Sequence, residues 1–98
     1  MTTIYVAGPM TGLPEFNYPA FRAAGEQLER RGFNVLLPLH EDTSQPWEFY
    51  MRHAFRMVFK ADALALLPGW EASEGATLEA RVATAIGLVI KPLAEWLS

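Results

Sequence analysis

The chain has 98 residues, 51% of them hydrophobic, enough for one core and too few for two, so every motif has to serve a single pocket. A formal net charge of −3, a pI near 5.3 and no Lys/Arg cluster beyond Arg30-Arg31 argue against a nucleic-acid polymer as partner. Cysteine is absent, which excludes disulfides and thiolate metal sites, and His40 and His53 are a poor start for a metal cluster, so neither a metal nor a cofactor is expected.

The first residues, Met1 to Ala7, lack the basic start and long apolar stretch of a signal peptide, and no apolar run approaches the ~20 residues of a membrane span. A soluble cytoplasmic protein is the expectation. Thr3 to Ala7 reads as a buried first strand ending at Gly8-Pro9. After a glycine- and proline-bearing loop, Asn17 is a candidate cap for a helix whose Phe21, Ala24, Gly25 and Leu28 recur at helical spacing, with Gly32 as the stop. Phe33 to Leu37 is the second strand. Ser44 is a candidate cap for the next helix, with Pro46 in its first turn and Trp47, Met51, Ala54, Phe55 and Val58 on one apolar face. Asp62 to Leu67 is the third strand, with Asp62 structural because it lies at the end of the sheet opposite the expected site. Pro68-Gly69-Trp70 turns the chain, Ser73 is the N-cap of a helix over 75–87, and a short fourth strand at Leu88 to Ile90 precedes a last helical turn within 92–98.

Strands alternating with helices imply a single Rossmann-like or flavodoxin-like α/β domain over residues 1–98, with a parallel sheet of about four strands flanked by helices. Ligands in such sheets sit at the carboxyl ends of the strands, here Gly8 to Gly12 after the first strand and Pro68 to Gly75 after the third.

Projected at about 100° per residue, the third helix places Ala76, Glu79, Ala80, Ala83 and Gly87 on one side. A glutamate among small residues is either a buried, functional carboxyl or a solvated residue at a helix edge; apolar surroundings would raise its pKa, and the nearby helix N-terminus would lower it. Only Thr77, Arg81 and Thr84 form a polar face, which suggests burial against both the sheet and a second subunit in a homodimer or higher oligomer. The alternative places Leu78, Val82 and Ile86 on the sheet and leaves the alanines exposed. Gly8, Met10, Thr11 and Gly12 lie in a loop whose backbone amides suit an anion, although this is also a common turn signal and matches neither a Walker loop nor a dinucleotide fingerprint. Tyr5 either packs in the core or reaches the pocket with its hydroxyl, and Trp70 either stacks on a base or covers the core.

Taken together, Ile4-Tyr5-Val6-Ala7-Gly8-Pro9-Met10-Thr11-Gly12, then Ala61 to Trp70, then Ser73-Glu74-Gly75-Ala76-Thr77-Leu78-Glu79-Ala80, resemble the nucleoside 2-deoxyribosyltransferase superfamily. More narrowly, Leu-Leu-Pro-Gly-Trp followed by Ser-x-Gly-Ala-x-x-Glu is similar to the small, often phage-associated proteins grouped as DUF4406. The resemblance covers nearly the whole chain. It implies that Glu79 is a nucleophile attacking C1′ of a 2-deoxyribosyl group, oriented by Tyr5, with a covalent sugar ester as intermediate, the logic of a retaining glycosidase. It further implies that Ser73, where related transferases carry aspartate and related 5′-monophosphate hydrolases carry serine, faces a phosphate, joined by the amides of Met10, Thr11, Gly12 and Gly75. As a plain helix cap, Ser73 needs no ligand.

Two departures stand out. Ala54 occupies the place of the superfamily's acid/base aspartate, and the adjacent His53 points about 100° away on a helix, which suits a surface or capping role. The polar residue that relatives donate across a subunit interface falls past Ser98, so that side of the pocket is expected to be incomplete or built differently. The reading is an N-glycosidic enzyme acting on a small nucleoside or nucleotide. A nucleotide-binding module without turnover is the alternative, and an oligomeric scaffold is a third possibility.

Overall fold

The computed structural model describes residues 1–98. Its elements are β1 (Thr3–Ala7), α1 (Tyr18–Arg30), β2 (Asn34–Leu36), α2 (Trp47–Lys60), β3 (Ala63–Leu66), α3 (Glu74–Ala85), β4 (Val89–Pro92) and α4 (Leu93–Leu97), with 3-10 turns at Pro14–Asn17 and Trp70–Ala72. The strands form one sheet in the order β2-β1-β3-β4, and every neighbouring pair is parallel. Tyr5 stands opposite Leu36 on one side and Leu64 on the other, and Ala7 opposite Leu66.

The continuous apolar character of β1 and β3 follows from their central place, where both faces are covered. Ile4 and Val6 point toward Phe21, Ala24 and Leu28 of α1, joined by Ala63, Ala65 and Leu67, with Leu93, Trp96 and Leu97 packed alongside. Tyr5 and Ala7 point the other way, into a cluster with Leu64, Leu66, Ala54 and Val58 of α2, and Ala76 and Ala83 of α3. Helices α1 and α4 therefore cover one face, and α2 and α3 the other. The chain leaves β1 toward β2 and leaves β3 toward β4, so the strand order reverses between β1 and β3. That switch point is where sheets of this class open a crevice. The α/β expectation holds in class, layering and strand number. No helix is long and apolar enough to cross a membrane.

Several local expectations change. Asn17 stands at the N-cap position of α1, but its side chain makes no capping bond: it sits in a left-handed turn with φ of 62°, following Glu15 at 52° and Phe16 at 53°, and its amide donates to the Pro9 carbonyl at 3.0 Å. Its side chain ties the two ends of the β1–α1 loop together. Ser44 does not cap α2, because Asp42 engages both its hydroxyl and its backbone N–H, and the helix starts after extended Pro46. Asp62 lies just outside β3 and accepts the Thr3 N–H at 2.9 Å, the structural role expected of it. The fourth strand runs to Pro92, which an edge strand tolerates because a lost N–H there leaves no ladder bond broken. Gly32 does stop α1: at φ 90° it lets the chain reverse, and Phe33 N–H returns to the Leu28 carbonyl.

Helix α3 buries Ala76, Glu79 and Ala83, leaves Leu78 and Val82 half-buried, and exposes Ile86. The small residues face the sheet, which reverses the alternative in which the alanines were exposed helix formers.

Candidate functional site

The alternation of β1 decides where Tyr5 goes. With Ile4 and Val6 committed to α1, Tyr5 must point under α2 and α3, where it is fully buried. Above it, α3 presents Glu79 from its second turn. The Tyr5 hydroxyl donates to Glu79 Oε2, joining residues 74 positions apart in sequence. Glu79 is 6% exposed and is the one buried charged residue of the chain.

Small side chains at Ala54, Ala76 and Ala83 allow the helices to lie close to the sheet, and they also deprive the carboxyl of polar neighbours. Burial therefore pushes the Glu79 pKa up to about 7 from 4.5, opposed by the hydrogen bond from Tyr5. The rise that apolar surroundings were expected to produce is the larger influence, and the Tyr5 hydrogen bond is what opposes it. Tyr5 moves well above its ordinary value, first through burial and then through the adjacent carboxyl, so its hydroxyl keeps its proton. The pair is a fixed donor holding a carboxyl that ionises near neutrality.

Glu79 forms part of the wall of an open cleft of about 990 Å³ at the carboxyl ends of β1 and β3. Gly8, Met10 and Thr11 border it from the first loop, Ser73 and Gly75 from the start of α3, and Ala54 from α2. At Gly8 the two strand ends approach so closely that a Cβ would lie 2.7 Å from Leu67 Cβ, which accounts for glycine at that position. Ser73 caps α3 by accepting the Ala76 N–H at 3.2 Å. The first-turn amides of α3 have no carbonyl one turn back to bond, and they lie at the same wall.

Two residues expected at the site lie outside the cleft. Gly12, at φ 81°, lies between Thr11 and Leu13 of the cleft border without bordering it itself, and a Cβ there would meet no atom within 4 Å. Trp70 follows Gly69, whose φ of 85° turns the chain into a 3-10 turn; the indole packs on the core and borders a separate hollow of about 450 Å³ with Pro92, Leu93 and Leu97. Covering the core is the role its geometry supports. His53 also lies outside the cleft, packed against Phe49 and His40 with ring centroids 4.5 and 5.2 Å away.

The sequence reading missed the opposite wall. Trp47, Tyr50 and Met51 of α2 border the cleft with Phe16 and Tyr18. Helical spacing puts Trp47 and Met51 on one apolar face with Ala54 and Val58. In a parallel α/β domain, however, helices begin at the carboxyl ends of the strands, so the first turn of α2 overhangs the cleft while Ala54 and Val58 sit over the sheet. Trp47 remains 42% exposed. That position in the helix was the available signal. The loop before α2 is pinned over the cleft by two phenols: the Tyr50 hydroxyl donates to the Asp42 carbonyl and accepts the Gln45 N–H, and Tyr18 accepts the His40 N–H. No group of three or more His, Cys, Asp or Glu side chains is placed to hold a metal.

Comparison with known proteins agrees with this architecture. A 2-deoxyribosyltransferase from Leishmania mexicana superposes with a TM-score of 0.74 at 20% identity, over 94% of this chain and 63% of that protein. The 2-deoxyribosyltransferase of Bacillus psychrosaccharolyticus gives 0.68 at 20% identity, covering 90% and 69%. A conserved protein from Enterococcus faecalis V583 gives 0.69 at 26% identity, covering 92% and 61%. The chain thus has the deoxyribosyltransferase fold and spans about two thirds of the length of these proteins. No curated protein matches it in sequence. The family model described as a domain of unknown function, DUF4406, matches residues 2–92, and the chain belongs to that family.

Proposed function

We propose that the cleft cleaves or transfers the N-glycosidic bond of a 2-deoxynucleoside or its 5′-monophosphate through a covalent ester on Glu79. The observation that carries this reading is the buried Tyr5–Glu79 pair opening onto the cleft. A carboxyl with a pKa of about 7 is substantially ionised at neutral pH, and the low polarity that raised its pKa leaves its anion poorly solvated and nucleophilic. The Tyr5 hydroxyl holds one carboxylate oxygen, leaving the other to attack C1′ as the base departs. Water then releases the sugar, or a second base accepts it. Ser73 and the free amides at the start of α3 and after β1 offer donors for the 5′-oxygen or a 5′-phosphate. The fold shared with proteins named as 2-deoxyribosyltransferases supports the same reading.

A second reading, a nucleotide-binding module without turnover, is favoured by one observation: α2 brings the methyl group of Ala54 to the cleft where an acid would assist the leaving base. Incubation with 2-deoxynucleosides and their 5′-monophosphates bearing purine, pyrimidine and pyridinium bases, with chromatography of free base, separates the two. Base release that disappears in Glu79→Gln supports the enzyme. A nucleotide that raises the melting temperature without any release supports the binding module.

The half-buried Leu78 and Val82 and the exposed Ile86, successive on one side of α3, support association of two copies through this helix. Light scattering is expected to give at least twice the 11.0 kDa chain mass, and a monomer at micromolar concentration would contradict it.

A further inference from the structure

The cleft has an unusual charge balance for a site that receives nucleotides. Its side chains include two carboxyls, Glu74 and Glu79, and no lysine, arginine or histidine. Phe16, Trp47 and Tyr50 border the same cleft with aromatic rings, a residue type that attracts cations, and the Tyr18 ring at its edge already carries the Arg22 guanidinium 5.8 Å from its centroid. Both features favour a ligand carrying positive charge.

The supply of protons points the same way. The Tyr5 hydroxyl is committed to Glu79, and that of Tyr50 to the Asp42 carbonyl. The Tyr18 hydroxyl accepts the His40 N–H and keeps its own proton, but a neutral phenol is a far weaker acid than a carboxyl, and Glu74 is exposed to solvent. The one buried carboxyl is Glu79, which must be ionised in order to attack and so is not free to protonate the base in the same step. Ala54, 3% exposed, contributes only a methyl group. A neutral purine or pyrimidine would then leave as an unassisted anion, and loss of such assistance typically costs about 10²–10⁴-fold.

Resting on the glycosidic reading above, we infer that the preferred substrates are N-glycosides whose base carries a fixed positive charge, such as an N-alkylated purine or a pyridinium. The step then balances without an acid. A Glu79 oxygen lone pair forms the bond to C1′, the C1′–N bond breaks, and its electron pair returns to the ring nitrogen, cancelling the positive charge. The base leaves neutral. Water subsequently attacks C1′, the ester C–O pair returns to Glu79, and the proton from water passes to solvent.

The test compares 7-methyl-2′-deoxyguanosine with 2′-deoxyguanosine, two substrates of nearly equal shape that differ in charge, with each rate corrected for spontaneous hydrolysis. The wild-type chain is expected to favour the cationic substrate in kcat/KM by about 10²-fold or more. In equilibrium titrations, Glu79→Gln, which prevents turnover, is expected to bind the cationic nucleoside more tightly than the neutral one. Equal efficiency, or preference for the neutral nucleoside, overturns the inference and leaves the glycosidic reading standing. Release of base from neither substrate overturns both.

Discussion

The two faces of the sheet are built from the same strands and do different work. On the α1/α4 face, Ile4, Val6, Phe21 and Leu28 are fully buried and wholly apolar. The polar groups there are satisfied locally, as where the Trp96 indole donates to the Leu64 carbonyl at 3.1 Å. On the α2/α3 face the covering helices contribute alanines, and a tyrosine and a glutamate lie buried against each other. Large interlocking side chains are what a core needs for stability. Small ones leave room for a carboxyl that water barely reaches, at a cost to stability. The α1/α4 face therefore supplies rigidity, and the α2/α3 face supplies a carboxyl tuned to neutral pH.

The largest expected effect of separating the faces is on turnover. Glu79→Gln removes the proposed nucleophile, and base release should fall on the order of 10³-fold or more. The same substitution should not destabilise the fold at neutral pH. Because the folded pKa of Glu79, about 7, lies above its ordinary 4.5, its contribution is fully present below about 4.5 and is lost as pH rises through 7, on the order of 3 kcal/mol in all. Glutamine stays neutral, so the variant should gain on wild type in denaturant melts across that range. A variant that loses stability instead would show that the carboxyl is held better than its burial implies.

Phe21→Ala on the opposite face is expected to cost about 3–5 kcal/mol in denaturant unfolding. In the fraction that remains folded, the acid limb of the pH–rate profile should not move. A shifted limb would mean that the two faces are coupled through β1. Tyr5→Phe sharpens the comparison with a smaller effect. Losing a hydrogen bond to a charged group should lower kcat/KM at pH 7 about 10- to 100-fold. The acid limb should also move to higher pH, because the Tyr5 bond is what opposes burial in setting the Glu79 pKa. An unchanged limb would remove Tyr5 from the site's electrostatics.

Much of this division was legible in the sequence, and the gaps have physical causes. Periodicity on α3 placed Glu79 with Ala76 and Ala83, because a helix facing a sheet must bury one continuous stripe. The pairing of Tyr5 with Glu79 came only through family resemblance, since contact between residues so far apart depends on strand order. Of three consecutive left-handed residues, Asn17 is a type that tolerates that region, but Glu15 and Phe16 rarely enter it and gave no local signal. Ser44 looked like a cap until the Asp42 carboxylate, held at about 2 by hydrogen bonds from Gln45 and Ser44, organised the loop around itself. The cleft wall of Trp47, Tyr50 and Met51 was hidden because apolar spacing marks which side of a helix is buried and not how far along the helix the sheet extends.

The central claim is that Glu79 forms a bond to the sugar. Mixing the protein with excess 7-methyl-2′-deoxyguanosine, quenching in acid during turnover and measuring intact and peptide masses tests it directly. The account expects an added mass of one deoxyribosyl group, located on the peptide that contains Glu79 and missing from Glu79→Gln. Base release with no adduct, or with the sugar attached elsewhere, would contradict it.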